Sequence, residues 1–383
     1  MTRIGIVTLY HKNYNYGGQM QAFAMQKIFS SINDCHAELI SFETKSSSYF
    51  FKRLCDLGIK KSIERFQNKI IFKNLMRDTT FRDSINMKIS RFDAFIDAIP
   101  HTDVYNENSI NLVNNQFDVF VCGSDQIWNP GWWNDILFLQ FTNKPKFSYA
   151  ASIARTMLTK DELSFINNAT NDYIGISVRE EQAKVLLEKN LKKRVTLSLD
   201  PTLLIDRKQW MEMADYPDET EPYVLFYMVG DSKGLKRQVY EKCKKNGYKV
   251  YSIGFSKNTY YKSDIVYSDY VIKDAGPLQW LGWIANAKIV FTDSFHGSVF
   301  SILFYSNFWC FERDNPNDSL NENSRLYNFL KITGLESRLM GYEVEPKMEF
   351  DQPIDFISVD GKLTELREQS VSYINDCLQM VNR

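Results

Sequence analysis

A buried strand, a sharp polar turn and the start of an apolar helix are predicted by the residues Ile289-Val-Phe-Thr-Asp-Ser-Phe-His-Gly-Ser-Val-Phe-Ser-Ile-Leu-Phe304. The first four residues are apolar or β-branched, which is typical of a strand that is buried in a parallel sheet. Asp293 and Ser294 follow the strand, and both residue types cap helices by accepting hydrogen bonds from free N–H groups. The stretch therefore predicts one strand-turn-helix unit of an α/β domain.

His296 lies at the junction between this predicted strand and helix. Unpaired N–H groups and the helix dipole favour an anion at a helix start, and Gly297 lets a ligand approach the backbone without a Cβ in the way. A histidine beside such a site can act as an acid or base on a phosphorylated or carboxylated substrate. The alternative is a capping turn in which packing alone satisfies the histidine, and this stretch does not separate the two readings.

The composition is that of an ordinary soluble globular chain. Its 383 residues predict one or two domains with sizeable cores, and a net charge of −1 gives no indication of nucleic-acid binding. Its aromatic content of 14% is compatible with stacking surfaces for sugars or with simple core filling. The scattered cysteines show no metal-ligand spacing, the first residues predict a strand rather than a signal peptide, and no apolar run is long enough for a bilayer. We therefore expect a cytoplasmic protein without a bound metal.

The beginning of the chain predicts the first half of a βαβ unit. A buried strand at residues 3–9 is followed by a polar loop at 11–18 and a helix with apolar residues at helical spacing from 19 to 32. Such loops lie at the carboxyl edge of a sheet, where ligands bind. The candidate ligand-binding residues here are Asn15, Gly17 and Gly18. A tight turn without a ligand is the alternative, and the spaced three-glycine pattern of a dinucleotide site is absent.

A basic insertion is predicted at about residues 45–95. Between Lys45 and Arg91 the sequence has twelve Lys or Arg and four Asp or Glu, and apolar residues recur in a helical rhythm at Ile63, Phe66, Ile70, Ile71 and Leu75. One hypothesis is that these amphipathic helices lie on the anionic inner face of a membrane. The alternative, which composition favours, is a solvated helical face.

A second candidate ligand loop is Gly123-Ser-Asp-Gln-Ile-Trp-Asn129, which leaves the end of a predicted buried strand. Asp125 is a catalytic candidate because its carboxylate can accept a proton from a sugar hydroxyl. Trp128 can stack on a sugar ring, and Ser124 and Gln126 are candidate ligand contacts. The alternative is a structural turn with a core tryptophan.

The second half of the chain again alternates strands and helices, which predicts a second parallel sheet. An acidic, turn-rich segment at residues 217–222 is a plausible boundary region. We therefore predict two Rossmann-like α/β domains, at residues 1–205 and 206–383. A final amphipathic helix is predicted at about 361–381.

Four motifs together carry a family resemblance, and they occur in the same order between about residue 4 and about residue 335: Asn15-Tyr-Gly-Gly18, Gly123-Ser-Asp-Gln-Ile-Trp-Asn129, Asp200-Pro-Thr-Leu-Leu204 and Asp293-Ser-Phe-His-Gly297. In these motifs the chain resembles the polysaccharide pyruvyl transferase family. The resemblance implies a GT-B-like arrangement of the two domains, in which the last helix often returns to the first. It also implies transfer of an enolpyruvyl-derived group from phosphoenolpyruvate to a sugar or a lipid-linked oligosaccharide, with no cofactor.

The resemblance also implies roles for particular residues. Ser177-Val-Arg-Glu180 is similar to the segment that supplies a donor-binding arginine, here Arg179, and His296 would protonate the donor. The start of the helix at Gly297 and Ser298 would add anchors for the donor anion. Many members have arginine two residues before the histidine, where this chain has Ser294, and a hydroxyl cannot replace a guanidinium as an anion clamp. Arg325 is the candidate that fills this gap.

Two further functions stay open at this point. A GT-B glycosyltransferase would hold the diphosphate of a nucleotide sugar at the same helix start, although a Glu-containing ribose motif is not evident after Phe304. A non-catalytic glycan-binding protein could keep the fold and lose the chemistry.

Overall fold

The computed structural model describes residues 1–43, 68–131, 133–155, 157–191, 193–231, 233–254, 261–318, 321–342, 349–350 and 352–381. The first part of the predicted basic insertion lies outside these residues, together with Ile63 and Phe66 of its apolar pattern.

Strands and helices alternate through the first half of the chain, in the order β1 (Thr2–Val7), α1 (Tyr16–Ser30), β2 (Cys35–Leu39), β3 (Phe42–Glu43), α2 (Thr79–Asp97), β4 (Tyr105–Asn106), β5 (Val119–Gly123), β6 (Lys146–Tyr149), α3 (Lys160–Ala169), β7 (Ser177–Val178), α4 (Glu181–Leu191) and β8 (Thr196–Leu197). The first sheet has the order β2-β1-β5-β6, and all of its pairs are parallel. The short parallel pairs β3-β4 and β7-β8 flank it, and isolated bridges link β7 to the end of β6.

The second half continues with α5 (Arg207–Met213), β9 (Tyr223–Tyr227), α6 (Lys233–Lys245), β10 (Lys249–Ile253), α7 (Lys262–Val266), β11 (Tyr270–Ile272), α8 (Pro277–Asn286), β12 (Ile289–Thr292), α9 (Phe295–Leu303), β13 (Asn307–Phe311), α10 (Ser324–Thr333), β14 (Leu339–Met340) and α11 (Phe356–Val381). The second sheet has the order β11-β10-β9-β12-β13-β14 and is also parallel throughout. The predicted fold class, two Rossmann-like α/β domains, is confirmed.

The strand and helix predicted from residues 289–304 form as β12 and α9. β12 pairs with β9 on one side and β13 on the other, and all four of its residues are buried. A strand in this central position is covered on both faces, which is why an uninterrupted apolar and β-branched run suits it. α9 starts directly after it and leaves His296 at the carboxyl edge of the sheet.

The last helix, α11, packs on the first sheet. Tyr373 donates a hydrogen bond of 2.8 Å to the carbonyl of Ser148 in β6, and Ser370 accepts one of 3.0 Å from the N–H of Leu199. Gly175 has no room for a Cβ, because Cys377 of α11 lies against it. The chain therefore returns to its first domain after completing the second.

The described part of the insertion, which we call the strap (residues 68–97), joins the two domains. Phe81 and Ile85 of α2 are buried in a cluster that includes Val271 of β11. Lys88 donates a hydrogen bond of 2.8 Å to the carbonyl of Gly254, and Arg91 binds Asp274 at 2.8 Å. One face of α2 thus packs within the protein, and the opposite face stays exposed, which is compatible with the alternative of a solvated helical face.

The membrane hypothesis for the insertion stays a prediction. Phe81 and Ile85, which are buried against the second domain, are not available to lipid. Within the described residues, no helix combines the length and the hydropathy that crossing a bilayer requires.

Replacing Lys88 by methionine should flatten the pH dependence of stability. Lys88 is 1% exposed, and burial lowers the pKa of its amine from 10.5 to about 7, with Asp274 opposing this effect. Between these pH values the unfolded chain binds a proton that the folded chain lacks, so this group makes stability rise with pH. We expect the slope of the unfolding free energy between pH 7.5 and 9.5 to fall by about 1 kcal/mol per pH unit in Lys88→Met.

Urea unfolding at several pH values measures this slope, and Lys27→Met, at an exposed position of α1, is the matched control. Equal slopes in the Lys88→Met variant and the wild type would show that the amine is charged in the folded protein.

Candidate active site between the two domains

The carboxylate of Asp200 is the centre of a buried polar network between the domains. Its Oδ2 accepts hydrogen bonds from Arg179 Nη1 at 2.6 Å and Ser124 Oγ at 3.3 Å. Its Oδ1 accepts from the N–H and the hydroxyl of Thr202 at 3.1 and 2.6 Å. Nε2 of His296, from the second domain, lies 3.5 Å from Oδ2, which is an ion-pair distance. One carboxylate thus gathers side chains from four segments of the chain.

Asp200 is charged in this network. Burial by itself would raise the pKa of its carboxyl, but the interactions with His296 and Arg179 and the hydrogen bond from Thr202 hold that pKa well below its ordinary value. The pKa of Arg179 shows the matching effect: burial would lower it, and Asp200, Glu180 and Asp125 raise it. The network is therefore a set of buried ion pairs, in which removing one partner leaves another charge uncompensated.

His296 is packed against the start of α1. Its side chain is 6% exposed, and a Cβ at Gly17 would overlap with Nδ1 and Cγ of its ring. Nε2 is buried and makes no hydrogen bond. The ring therefore lies at the junction of the two domains, facing a backbone without a side chain on one side and Asp200 on the other. Gly17, which was predicted in a loop, lies in the first turn of α1, and its lack of a Cβ leaves room for this ring.

Arg179 connects the first domain to α9. Its guanidinium lies 4.2 Å above the ring of Phe295, the residue before the histidine. Its Nε lies 3.4 Å from Glu180, and its Nη2 is buried, lies 3.8 Å from Asp125 and makes no hydrogen bond. With Nη1 held by Asp200 and Nε near Glu180, Nη2 is the nitrogen of this guanidinium that still has hydrogen-bonding capacity for an anion.

The loop after β5 contributes Asp125, Gln126 and Asn129 to the same region. Asp125 has a φ of 50°, a conformation that non-glycine residues rarely adopt, and its carboxylate is partly exposed near Arg179. Gln126 and Asn129 donate hydrogen bonds of 3.0 and 3.3 Å to Glu322 of the second domain. Ser124 is fully buried, and its hydroxyl already makes a hydrogen bond to Asp200 within the protein.

The predicted sugar-stacking role of Trp128 is wrong for this structure. The indole is fully buried and stacks on Phe138, with 5.6 Å between ring centroids. No face of the ring is open to a sugar. Trp128 is therefore a core residue, which was the alternative prediction for it.

The helix start at α9 is satisfied within the protein. Ser294 caps the helix by accepting a hydrogen bond of 3.3 Å from the N–H of Gly297, and Ser298 donates one of 3.1 Å to the carbonyl of Ser294. A Cβ at Gly297 would overlap with Thr292 of β12. The ligand contacts predicted for Gly297 and Ser298 find no support here, because both residues are buried in the packing of α9. Asn15 and Gly18 form the corresponding cap of α1, at 3.1 Å.

Arg325 and Arg313 line a small opening beside Phe295. Arg325 is 8% exposed, its Nη2 donates a hydrogen bond of 2.9 Å to Glu322, and its Nε makes none. Arg313 donates one of 2.9 Å to the carbonyl of Asp293. The other residues that line the opening are Asp293, Asp314, Glu322, Asn323 and Leu326.

Sequence reasoning missed Asp200, Arg313 and Glu322 as site residues. Asp200 and Arg313 each follow the carboxyl end of a strand, β8 and β13 respectively, and this position could have indicated a role in ligand binding. Glu322 does not follow a strand in this way, so its position gave no such indication. Among the described residues, no group of three or more His, Cys, Asp or Glu side chains is arranged to hold a metal ion.

Two parallel sheets that present their carboxyl ends to a shared interdomain network define a GT-B-like α/β protein. A UDP-GlcNAc 2-epimerase of Methanocaldococcus jannaschii, solved with UDP-GlcNAc and UDP, aligns over 99% of this chain and 99% of its own, with 11% identity and a TM-score of 0.50. S. aureus MnaA, solved with UDP, aligns over 97% of this chain and 91% of its own, with 8% identity and a TM-score of 0.50. At these identities the likeness shows the fold alone.

The profile of the polysaccharide pyruvyl transferase family matches residues 15–315, and the chain belongs to this family. The matched range includes Gly17, Asp125, Arg179, Asp200 and His296. A search of curated protein sequences finds no significant match.

Replacing Gly17 by alanine should destabilise the contact between α1 and His296. The added methyl group overlaps with the imidazole, and overpacking of this kind costs about 1–3 kcal/mol of unfolding free energy. Gly361→Ala in α11 is the control, since a Cβ there meets no atom within 4 Å. Urea unfolding measures both variants. Wild-type stability in Gly17→Ala would mean that the ring moves away at no cost.

Proposed function

We propose that this protein transfers a pyruvyl group from phosphoenolpyruvate to hydroxyls of a polysaccharide sugar, forming a ketal and releasing phosphate. Family membership supports a pyruvyl transferase in general. The observation that carries the specific reaction is the junction itself: His296 of the second domain faces Asp200, the partner of Arg179, and Arg325 interacts electrostatically with Arg179 and Asp125 of the first domain. Such a junction offers a proton donor, cationic anchors and a carboxylate base to one small anionic substrate.

In this proposal His296 supplies a proton to the methylene carbon of the donor, which becomes a methyl group. A sugar hydroxyl adds to the neighbouring carbon and loses its proton to Asp125. The C–O bond to phosphate then breaks, and the departing phosphate takes the proton from Asp125. A second hydroxyl of the sugar closes the ketal and returns its proton to His296. Asp200 positions the imidazole, and a positioned acid of this kind contributes about a hundredfold to ten-thousandfold in rate.

The donor anion would be held by Nη2 of Arg179 and by Arg325. Ser294 stands where many family members have an arginine, and its hydroxyl caps α9 instead. Arg325 is buried, belongs to the next segment and has a donor atom to spare, so it is the guanidinium available to replace the missing one. A lipid-linked carrier for the acceptor sugar, at the inner face of a membrane, stays a prediction.

Phosphate release from phosphoenolpyruvate, measured with a panel of glycans and with mass spectrometry of the product, tests this function. The route uses no metal or cofactor, so turnover should persist in the presence of a chelator. We expect His296→Ala to lower turnover by about a hundredfold or more, whereas His36→Ala, at an exposed position of β2, should keep it.

Turnover of a nucleotide sugar instead of phosphoenolpyruvate would make the protein a glycosyltransferase. Glycan binding without any turnover would make it a non-catalytic homologue. Either result would contradict the proposed reaction.

Arg325→Ala should weaken donor binding in particular. A hydrogen bond to a charged group contributes about 2 kcal/mol, which corresponds to roughly a thirtyfold increase in the KM for phosphoenolpyruvate. Arg237→Ala, an exposed position of α6, is the control. Steady-state kinetics with varied phosphoenolpyruvate measure the effect. A KM close to that of the wild type would discard the replacement of the missing arginine by Arg325.

A further inference from the structure

Glu322 links the two domains at the edge of the candidate site. Its carboxylate accepts hydrogen bonds from Gln126 Nε2 at 3.0 Å and Asn129 Nδ2 at 3.3 Å, both in the first domain. On the second domain it accepts one from Arg325 Nη2 at 2.9 Å and lies 3.9 Å from Arg313 Nη1. A single negative charge thus holds two arginines and the loop after β5.

The guanidinium of Arg325 uses only half of its binding edge. Nε and Nη2 of an arginine point in the same direction and grip a carboxylate or a phosphate through two parallel hydrogen bonds. In Arg325, Nη2 is bound to Glu322, whereas Nε is buried and makes no hydrogen bond. Glu322 therefore binds this edge through one atom, and an anion that binds it through both atoms needs Nη2 as well.

The charges around Arg325 make a negative partner necessary. Burial lowers the pKa of its guanidinium, Glu322 opposes this effect, and the neighbouring charges of Arg313 and Arg179 lower the pKa further. A buried cation among other cations is costly without a carboxylate or phosphate beside it. In the structure Glu322 provides that negative charge at hydrogen-bond distance.

We propose that Glu322 is a built-in competitor for the anion site at Arg325, and that a small carboxylate or phosphate ligand must displace it in order to bind. The proposal rests on the proposed function only in taking phosphoenolpyruvate as the natural anion. Displacing Glu322 also breaks its hydrogen bonds with Gln126 and Asn129. Binding of the anion is therefore coupled to release of the loop that carries Asp125.

The competition gives the donor site a threshold. The ligand must supply more binding free energy than the contacts of Glu322 that it replaces, so a weakly bound anion leaves the interdomain contact intact. A ligand with both a carboxylate and a phosphate can bind two arginines at once. Such a ligand has an advantage over a simple monoanion at this site.

The test measures binding rather than turnover, with inorganic phosphate and phosphoenolpyruvate as separate probes in isothermal titration calorimetry. Glu322→Gln keeps the size of the side chain and removes the competing charge. We expect it to tighten the binding of both probes by about tenfold, or 1.4 kcal/mol. Glu336→Gln removes the same charge at an exposed position of the second domain and should leave both affinities unchanged.

A second pair of variants separates competition from a general change in charge or fold. Arg325→Ala combined with Glu322→Gln should lose the gain, since the site that Glu322 blocks is then absent. Glu322→Asp keeps the charge but withdraws it from Arg325, so it should tighten binding less than Glu322→Gln and in the same direction. Unchanged or weaker binding of inorganic phosphate in folded Glu322→Gln would overturn the proposal.

This outcome is independent of the reaction. A protein that does not turn over phosphoenolpyruvate can still show the tenfold gain for inorganic phosphate. Conversely, an active pyruvyl transferase without that gain would disprove the competitor and leave the proposed function standing.

Discussion

The ion pair between Asp200 and Arg179, 2.6 Å apart and closed off from water, is the contact on which the rest of the site depends. Each partner is too deeply buried to be charged alone, and each makes the charge of the other tolerable. Because Asp200 also faces His296 and accepts from Ser124, its position fixes where the second domain meets the first. Buried electrostatic contacts thus contribute directly to the geometry of the junction.

Close packing between α1 and the second domain also stabilises the junction of the two domains. The imidazole of His296 lies against Gly17 because that residue lacks a Cβ, and Tyr16, next to it, stacks on Trp280 of the second domain. Aromatic contacts of this kind add area and direction without adding charge. Glu322 joins the same two domains through a carboxylate that is partly exposed.

The local pattern of the sequence was sufficient for the fold. β12 and α9 form where the residue periods predicted them, because a buried strand and an apolar helix are each specified by their own side chains. The direction in which a side chain points depends on partners far along the chain, and there the predictions were weaker. The side chain of Trp128 lies in the core instead of facing a ligand. Asp200 is the centre of the polar network only because residues from other segments of the chain bind its carboxylate. The docking of α2 on β11 was beyond local patterns for the same reason.

The return of α11 to the first sheet has a consequence for how the polypeptide matures. Ser370, Tyr373 and Cys377 complete the packing around Leu199, Ser148 and Gly175. During synthesis the amino-terminal half leaves the ribosome long before these partners exist, although domains commonly fold in the order in which they emerge. The first half must therefore wait with part of its apolar surface uncovered until the second half has been translated. Chaperone dependence in the cell would follow from this delay.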